Sequence, residues 1–277
     1  MEFLFSEDQE QFRENIARFL ADRSPPTEVR KLMADDQGYD PDVWSMLSNQ
    51  LGLCGIAVAE QYGGAGFGPQ ELAIACEEMG RALYCGPYLA SAVCAAYALS
   101  QTADDDHKQR WLPEIASGGL IACLAVTEHA PMWSEDDVQT VASSSPDGSH
   151  VLNGEKRFVI DAQVAGLILV AARNAENQIG LYSVEASARG LTRKAMPSMY
   201  PTRKLNQLIL AATPAEHLGP VDLQDLMDYT LVALANEMIG GAQTLLQSAL
   251  DYTQLRVQFG RSIASFQAIK HRLAELL

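Results

Sequence analysis

The spacing of apolar residues changes twice along this chain of 277 residues, and this constrains the fold more than any other feature. Apolar residues recur at helical spacing over residues 1–118, alternate with polar residues over 119–221, and return to helical spacing over 222–277. Helical and alternating segments bury different faces, so each packs in its own layer. The pattern predicts an α+β protein with an N-terminal all-helical domain, a middle antiparallel β-domain and a C-terminal helical domain at these bounds, whose last helical pattern is not closed by a turn or a cap.

Capping residues mark the ends of the N-terminal helices. Ser6 and Gln9 have the spacing of a capping box ahead of an amphipathic run. Asp40 followed by Pro41 has the pattern of an N-cap and a first helical residue, and Gly52 is placed to end that helix. These signals predict helices joined by short turns.

Short apolar runs separated by Gly, Asn, Pro and Asp make up the middle zone, which is typical of strands in a small sheet. One of them, GLILVAA, is apolar at nearly every position, which predicts a strand buried on both faces. Each strand is therefore expected to be short, with a turn on either side.

Two glycines interrupt the longest helical pattern, which runs over about residues 226–258. Gly240 and Gly241 lie near its middle, where a glycine costs about 1 kcal/mol relative to alanine. Close approach of another helix would account for their presence. A second helix is predicted to begin near Ser265.

Charge and cysteine usage narrow the classes of partner. The formal charge of −15 argues against nucleic acid and anionic membranes, since both bind clustered positive charge. No window reaches the roughly 18 apolar residues of a membrane span, and the N-terminus lacks the pattern of a signal peptide. Five cysteines without a CxxC pair are typical of buried, reduced thiols in a cytoplasmic protein, and no metal site is expected.

Four sequence motifs resemble motifs of a known family, and they occur in the same order. EQYGGAGFGPQELAIACEEMGRAL (60–83) resembles that family's PEEYGG loop and helix, and VTEHAPMWSEDD (126–137) stands where the family has TEPGAGSD. LNGEKRFVI (152–160) is similar to LNG-K-WITN, and EMIGGAQTLLQSALDYTQLRVQFGRSIASFQAIKHRLAE (237–275) is the most specific match. The chain thus resembles the acyl-CoA dehydrogenase family over its whole length, which implies that family's helix–sheet–helix fold.

The resemblance implies a reaction and a set of partners. In that family FAD accepts a hydride from the β-carbon of an acyl-CoA thioester while a carboxylate base removes the α-proton. An electron-transfer flavoprotein then reoxidises the flavin. The expected partners are the acyl-CoA substrate, that flavoprotein, and a homologue or a second copy in a dimer or tetramer. Residues 199–219 further resemble a branch of small partner subunits of steroid- and side-chain-degrading dehydrogenases, while straight, branched and steroid-derived acyl groups all remain compatible.

Some residues that carry the family's chemistry are changed in this sequence. The alternative position of the catalytic base, near the start of the long C-terminal helix, is Thr230, which cannot abstract a proton at neutral pH. No catalytic base is therefore identified. The family's flavin-covering tryptophan is Phe158 here, and the threonine that bonds the flavin is Ile160. An isoleucine would leave a buried flavin heteroatom without a partner, at about 1–3 kcal/mol.

Val126 and Thr127 match the family's flavin-binding loop, and the readings of their neighbours stay open. Thr127 either contacts the flavin or only satisfies its own backbone at a strand end. Ser134 matches the family's substrate-binding serine when a one-residue shift in register is allowed. Met132 and Trp133 either cap an acyl pocket or fill a loop.

Arg256, Phe259 and Gln267 match the residues through which a family member reaches the flavin of the adjacent subunit. An arginine suits the cofactor's pyrophosphate because its guanidinium donates two parallel hydrogen bonds. The structural alternative is a helix-end arginine in a surface ion pair, with an apolar phenylalanine in a tight loop. The resemblance implies FAD that is shared with, or held by, a partner subunit.

Three functions remain open from the sequence. The chain is a subunit of an FAD-dependent acyl-CoA dehydrogenase whose partner supplies the base, a non-catalytic assembly subunit, or an acyl-CoA-binding module or truncated product. The family's later segments have no counterpart after Leu277, so either the sequence is a fragment or a partner completes the bundle. Leu231, Leu245, Ile269 and Leu273 are expected to form an apolar surface that the partner or the missing residues cover.

Overall fold

A computed structural model describes residues 4–129, 133–144 and 149–276 of the chain, and its N-terminal part is helical. The helices and the π-helical segment that continues directly into α5 are α1 Glu7–Arg23, α2 Pro26–Ala34, α3 Pro41–Asn49, α4 Pro69–Arg81, the π-helix Tyr88–Ala95, α5 Ala96–Thr102 and α6 Asp105–Ala116.

The two predicted helix caps are present. The Ser6 hydroxyl accepts a hydrogen bond from the backbone N–H of Gln9, and the Gln9 side chain accepts one from the N–H of Ser6. The Asp40 carboxylate accepts from the N–H groups of Asp42 and Val43. Each cap satisfies backbone donors that a helix start leaves free, so these two boundaries could be predicted from sequence.

The middle part of the chain forms a curved mixed sheet. Its strands are β1 Ala122–Ala125, β2 Val141–Ser144, β3 His150–Ile160, β4 Leu167–Arg173, β5 Ile179–Glu185, β6 Leu191–Met196 and β7 Leu205–Pro220. The path β4–β2–β3–β7–β5 closes because β5 also pairs with β4, while β1 lies beside β4 and β6 beside β7.

The predicted middle β-domain is confirmed, but it is not purely antiparallel. Strands β1 and β2 each pair with β4 in parallel, and the remaining pairings of this sheet are antiparallel. A parallel pair needs a long connection, and β2 and β3 lie within the connection between β1 and β4. Strand β4 contains the GLILVAA run and is buried along nearly its whole length, as predicted.

One long helix and a short hairpin form the C-terminal part. Helix α7 spans Leu223–Leu255, and its first turn is capped by Asp222. Strands β8 Val257–Gln258 and β9 Arg261–Ser262 form a two-residue hairpin, and α8 follows at Gln267–Glu275. The predicted helices are present, and the residues between them turn back in this hairpin.

Helices α4 and α7 cross at glycines. A Cβ atom added to Gly240 would lie 2.8 Å from the backbone nitrogen of Arg81 and closer still to the carbonyl oxygen of Glu77. A Cβ at Gly80 would lie 2.6 Å from the Cα of Glu237. The close helix approach expected around Gly240 is therefore confirmed, and it joins the first and last parts of the chain.

The cysteines of this chain are buried and free of disulfides, as their spacing predicted. Burial raises the pKa of the Cys85 thiol and of the Cys94 thiol to about 11, so both stay protonated at neutral pH. Among the described residues, no helix combines the length and the apolar character needed to cross a bilayer.

Candidate active site

The middle-domain residues predicted to bind the flavin, here called the cradle (Val126, Thr127, Phe158 and Ile160), line one small cavity. Thr230, at the predicted position of the catalytic base, lines the same cavity. The cavity has a volume of about 40 Å³ and lies where the end of β1, the end of β3, the π-helical segment and α7 come together. The predicted residues in its lining are Val126, Thr127, Phe158, Ile160 and Thr230.

A bulge in β3 orients the residues at this cavity. The pairing register with β7 shifts between Lys156 and Val159, so the two residues between them leave the ladder. The backbone N–H of Arg157 instead donates to the carbonyl of Thr127 at 2.8 Å. Phe158 has a φ of 54° and is 49% exposed, so its ring lies at the mouth of the cavity.

A buried ion pair holds the loop after β1, and sequence reasoning missed it. The ammonium group of Lys156 lies 2.7 Å from the carboxylate of Glu128 and donates to the carbonyl of Val126 at 3.1 Å. The same carboxylate accepts hydrogen bonds from the N–H groups of Gln139 and Thr140, each at 2.9 Å, and from the Thr140 hydroxyl at 2.7 Å. Both ends of the loop between β1 and β2 are thus tied to one carboxylate.

This environment keeps Glu128 ionised. Burial alone would raise its pKa, but attraction to Lys156 and the hydrogen bonds from Thr140 outweigh burial and hold the pKa of Glu128 below its usual value. In the sequence, the pair shows only as one charged residue in each of two segments, Glu128 in TEHAP and Lys156 in NGEKRF. A charged residue in an alternating segment is expected on the solvent-facing side of a strand, so neither residue was predicted to be buried.

Thr230 cannot act as a base in this setting, and no carboxylate lines the cavity among the described residues. Its hydroxyl donates to the carbonyl of Leu226 at 2.8 Å and lies 3.4 Å from the thiol of Cys94. The nearest acids along α7 are engaged elsewhere. Asp228 is exposed and accepts from Gln224, and Glu237 is paired with Arg203. The absence of an identified base stays a prediction.

Trp133 occupies the space beside the cradle. Its indole N–H donates a hydrogen bond of 2.9 Å to the hydroxyl of Thr127, and its ring lines the cavity together with Phe158 and Ile160. The indole therefore packs against the cradle, and its assignment to an acyl pocket stays a prediction. Met132 lies outside the described residues, and no structural statement is made for it.

Ser134 is not part of this cavity. Its hydroxyl caps a short 3₁₀ turn, Glu135–Asp137, by accepting from the N–H of Asp136 at 3.3 Å. A serine in this role satisfies the turn's free backbone donor. Its assignment to substrate binding stays a prediction that these contacts do not favour.

A second and larger cavity, of about 390 Å³, lies between the loop before α4, α5 and the first part of α7. Tyr97 and Tyr229, which are both part of its lining, stack directly on each other with ring centroids 3.6 Å apart. The Tyr97 hydroxyl donates to Asp225 at 2.8 Å, which fixes the stack. Sequence reasoning missed this pair because its two members are far apart in the chain and the helical pattern marks neither as special.

The residues of the predicted intersubunit half-site lie together at the other end of α7. Arg256 caps α7, Phe259 lies at the tip of the hairpin, and Gln267 begins α8. All three are exposed, and Phe259 is 92% exposed. In the part of the chain that the structure describes, the Arg256 side chain has no hydrogen-bond or ion-pair partner, so the alternative of a helix-end ion pair is not observed.

The half-site is too far along α7 to serve this chain's own cavity. Thr230 and Arg256 are 26 residues apart on a helix that rises 1.5 Å per residue, so about 40 Å separates them. The hairpin is held to α7 by hydrogen bonds from Ser262 to the carbonyl of Thr253 and from the N–H of Ile263 to that of Arg256. These hydrogen bonds fix the hairpin to the end of α7, where Arg256, Phe259 and Gln267 are exposed.

The fold and these two groups of residues place the chain in the acyl-CoA dehydrogenase family, to which it belongs. The family's N-terminal domain, "Acyl-CoA dehydrogenase, N-terminal domain", matches residues 6–119. The "Acyl-CoA dehydrogenase, C-terminal domain" matches residues 222–277.

Two relatives illustrate the membership. The acyl-CoA dehydrogenase IpdE2 of Mycobacterium tuberculosis is 32% identical over 270 residues, which cover 98% of this chain and 71% of the relative. The structure of the ChsE4–ChsE5 complex from Mycobacterium tuberculosis superposes with a TM-score of 0.89 at 25% identity, over 99% of this chain and 74% of the other. The predicted family and the predicted role as an acyl-CoA dehydrogenase subunit are confirmed.

FAD is the cofactor at the level of the family. An acyl-CoA dehydrogenase complexed with FAD from Bacillus anthracis shares the fold, with a TM-score of 0.88 at 23% identity over 98% of this chain and 48% of the other. The cradle of this chain does not fit a flavin. Its cavity of about 40 Å³ is far below the roughly 300–1,000 Å³ of ligand pockets, and Ile160 offers no polar atom to a flavin ring.

Proposed function

We propose that this chain is the subunit of a heteromeric, FAD-dependent acyl-CoA dehydrogenase that completes a flavin site held by a partner subunit. The partner, a homologue of this chain, binds the FAD and supplies the carboxylate base for α,β-dehydrogenation of an acyl-CoA thioester. This chain contributes Arg256, Phe259 and Gln267. An electron-transfer flavoprotein is the expected electron acceptor, and the cytoplasm, where free thiols persist, is the expected compartment.

The observation that carries the proposal is the exposed, unpaired half-site about 40 Å from a cavity that does not fit a flavin. An arginine without an ionic partner is suited to bind the two phosphates of FAD. The edge of Phe266 lies against Phe259, with ring centroids 6.2 Å apart, which supports an exposed ring that could pack on a flavin. Gln267 adds an amide that can both donate and accept.

The apolar face of α7 supports a partner chain. Leu231, Met238, Leu245 and Leu255 are each more than half exposed, and Met238 and Leu245 are each 74% exposed. Single exposed apolar side chains are ordinary, but a row along one helix marks an interaction surface. Of the four residues expected to form this surface from sequence, Leu231 and Leu245 are exposed, while Ile269 and Leu273 are partly buried.

The complex of this chain with its flavin-binding homologue tests the proposal. Arg256→Ala is expected to lower the FAD content per complex and the rate of acyl-CoA dehydrogenation. Arg272→Ala is the matched control, because Arg272 is an exposed arginine of α8 whose described ionic contact is with Glu275. If Arg256→Ala leaves flavin content and turnover at the level of Arg272→Ala, the shared flavin site is wrong.

A second candidate, a non-catalytic assembly subunit, is favoured by the absence of a carboxylate around Thr230 in the described residues and by the filled cradle. Such a subunit would stabilise the homologue without touching its flavin. The same experiment separates the two functions. An assembly subunit predicts that the complex still forms and that turnover does not respond to Arg256→Ala, whereas a separate acyl-CoA-binding module predicts no stable complex.

A further inference from the structure

The indole of Trp133 lies in the middle-domain cradle, against the residues that the family resemblance assigns to flavin binding. It donates its one hydrogen bond to Thr127, the loop residue that matches the family's flavin-binding position, at 2.9 Å. The ring lines the remaining space with Phe158 and Ile160, leaving a cavity of about 40 Å³. From this contact we infer that Trp133 is a built-in occupant that closes this chain's own cradle, so that the chain folds without a flavin of its own.

The described residues that follow Trp133 are held in place from two sides. At the base of the loop the buried carboxylate of Glu128 accepts from the N–H groups of Gln139 and Thr140, which brings the start and the end of the loop together. On the outer side of the loop, Arg173 of β4 donates to the carbonyls of Glu135 and Val138. These contacts lie outside the cavity, so removing the indole leaves the loop's anchors intact.

The chemistry of the cradle agrees with an aromatic occupant from within the chain. The hydroxyl of Thr127 has the indole N–H as its partner, and Ile160 provides an apolar wall on which an indole packs without loss. A flavin ring has several polar edge atoms, and burying one against Ile160 without a hydrogen bond would cost about 1–3 kcal/mol. Indole, with one donor and no further polar atom, matches this lining.

This inference goes beyond the proposed function, because it concerns the cradle of this chain and not the flavin of the partner. It attributes the closure of the cradle to the side chain of Trp133. One consequence follows. Replacing Trp133 by glycine should open a cavity the size of an indole ring, and a cavity of that kind binds a matching aromatic molecule added from solution.

The test uses the full chain, purified alone, in the wild-type form and as Trp133→Gly and Trp133→Phe. FAD binding is followed by flavin fluorescence and by the flavin absorbance that stays with the protein after gel filtration. Wild type and Trp133→Phe, which keeps a ring in the cradle, are expected to hold no flavin. Free indole is expected to bind Trp133→Gly about tenfold or more tighter than it binds wild type or Trp133→Phe, and to raise the Tm of the glycine variant alone.

Two results would overturn the inference. One is the retention of roughly one FAD per chain by the wild-type protein after gel filtration, since such binding needs a site of ordinary pocket size. The other is a folded Trp133→Gly variant that neither binds indole nor gains stability from it. If the glycine variant does not fold, Trp133→Ala takes its place and is held to the same two results. Neither result depends on Arg256, so failure here is distinct from failure of the shared flavin site.

Discussion

The crossing of α4 and α7 allows a sharp test of how this chain is held together, because adjacent glycines on α7 have opposite surroundings. An alanine Cβ at Gly240 would lie 2.8 Å from the backbone nitrogen of Arg81 and nearer to the carbonyl oxygen of Glu77. At Gly241 the nearest atom would be the carbonyl oxygen of Gly80, at an ordinary 3.7 Å. Gly240→Ala and Gly241→Ala therefore differ in whether the added methyl group clashes with the backbone of α4, while their helix propensities are the same.

Two opposed effects set the expected change in the free energy of unfolding. In each variant alanine stabilises the helix by up to about 1 kcal/mol relative to glycine. At Gly240 the clash is with backbone atoms of α4, which cannot rotate away, so the helices must move apart at the upper end of the overpacking cost, about 3 kcal/mol. We expect Gly240→Ala to lower the free energy of unfolding by about 2 kcal/mol and Gly241→Ala to raise it by up to about 1 kcal/mol.

Urea unfolding followed by circular dichroism measures both changes on the same chain. For a chain of this size the expected loss corresponds to a fall in Tm of roughly 4–8 °C for Gly240→Ala. A Gly240→Ala protein as stable as Gly241→Ala would refute the reasoning, because it would mean that α4 and α7 do not approach at this residue. Gly80→Ala, on the facing helix, should behave like Gly240→Ala.

Three further predictions rest on buried or capping charges, and urea unfolding checks each. Lys156→Met should cost about 3–5 kcal/mol by leaving Glu128 buried and unpaired, whereas Lys31→Met, which breaks an exposed pair, should cost about 1 kcal/mol or less; equal losses would contradict the role of burial. Burial raises the pKa of Asp161 to about 7, so the folded state keeps a proton that the unfolded state loses above about pH 4. The free energy of unfolding of the wild type should therefore decrease as the pH rises from about 4 to about 7. Asp161→Asn should reduce this dependence on pH, and an unchanged dependence would contradict the assigned role of Asp161. Asp222→Ala should cost about 1 kcal/mol by removing the cap of α7, and no loss would show that this cap is dispensable.

The parts of the fold that sequence predicted are those with local physical causes. The caps at Ser6 and Asp40 depend on residues within one turn, and the buried strand β4 shows as an unbroken apolar run. The expectation of a close helix crossing was correct for Gly240 because glycine in a helix needs a reason. Gly241, its neighbour, has no such contact, and only the packing of α4 distinguishes the two.

What sequence could not predict depends on which distant residues meet. The parallel pairing of β1 with β4 is set by a connection that passes through β2 and β3. The buried pair of Lys156 and Glu128 joins two charged residues 28 positions apart, each of which looks solvent-facing alone. The contact of Trp133 with Thr127 joins two residues of different parts of a loop. The sequence alone could not distinguish a tryptophan that caps an acyl pocket from one that fills a loop.

The length of α7 has a consequence for how the chain opens. Its buried residues, with the exception of Thr253, lie between Leu223 and Gly240. Beyond them, the Thr244 hydroxyl still donates to the carbonyl of Arg81 on α4, and the residues after Thr244 bury few side chains. Local opening free energies follow buried contacts more than backbone hydrogen bonds. In the isolated chain, amide protons beyond Thr244 should exchange much faster than those before Gly240, although both belong to one continuous helix, and docking of a partner would extend the slow-exchanging part towards the hairpin.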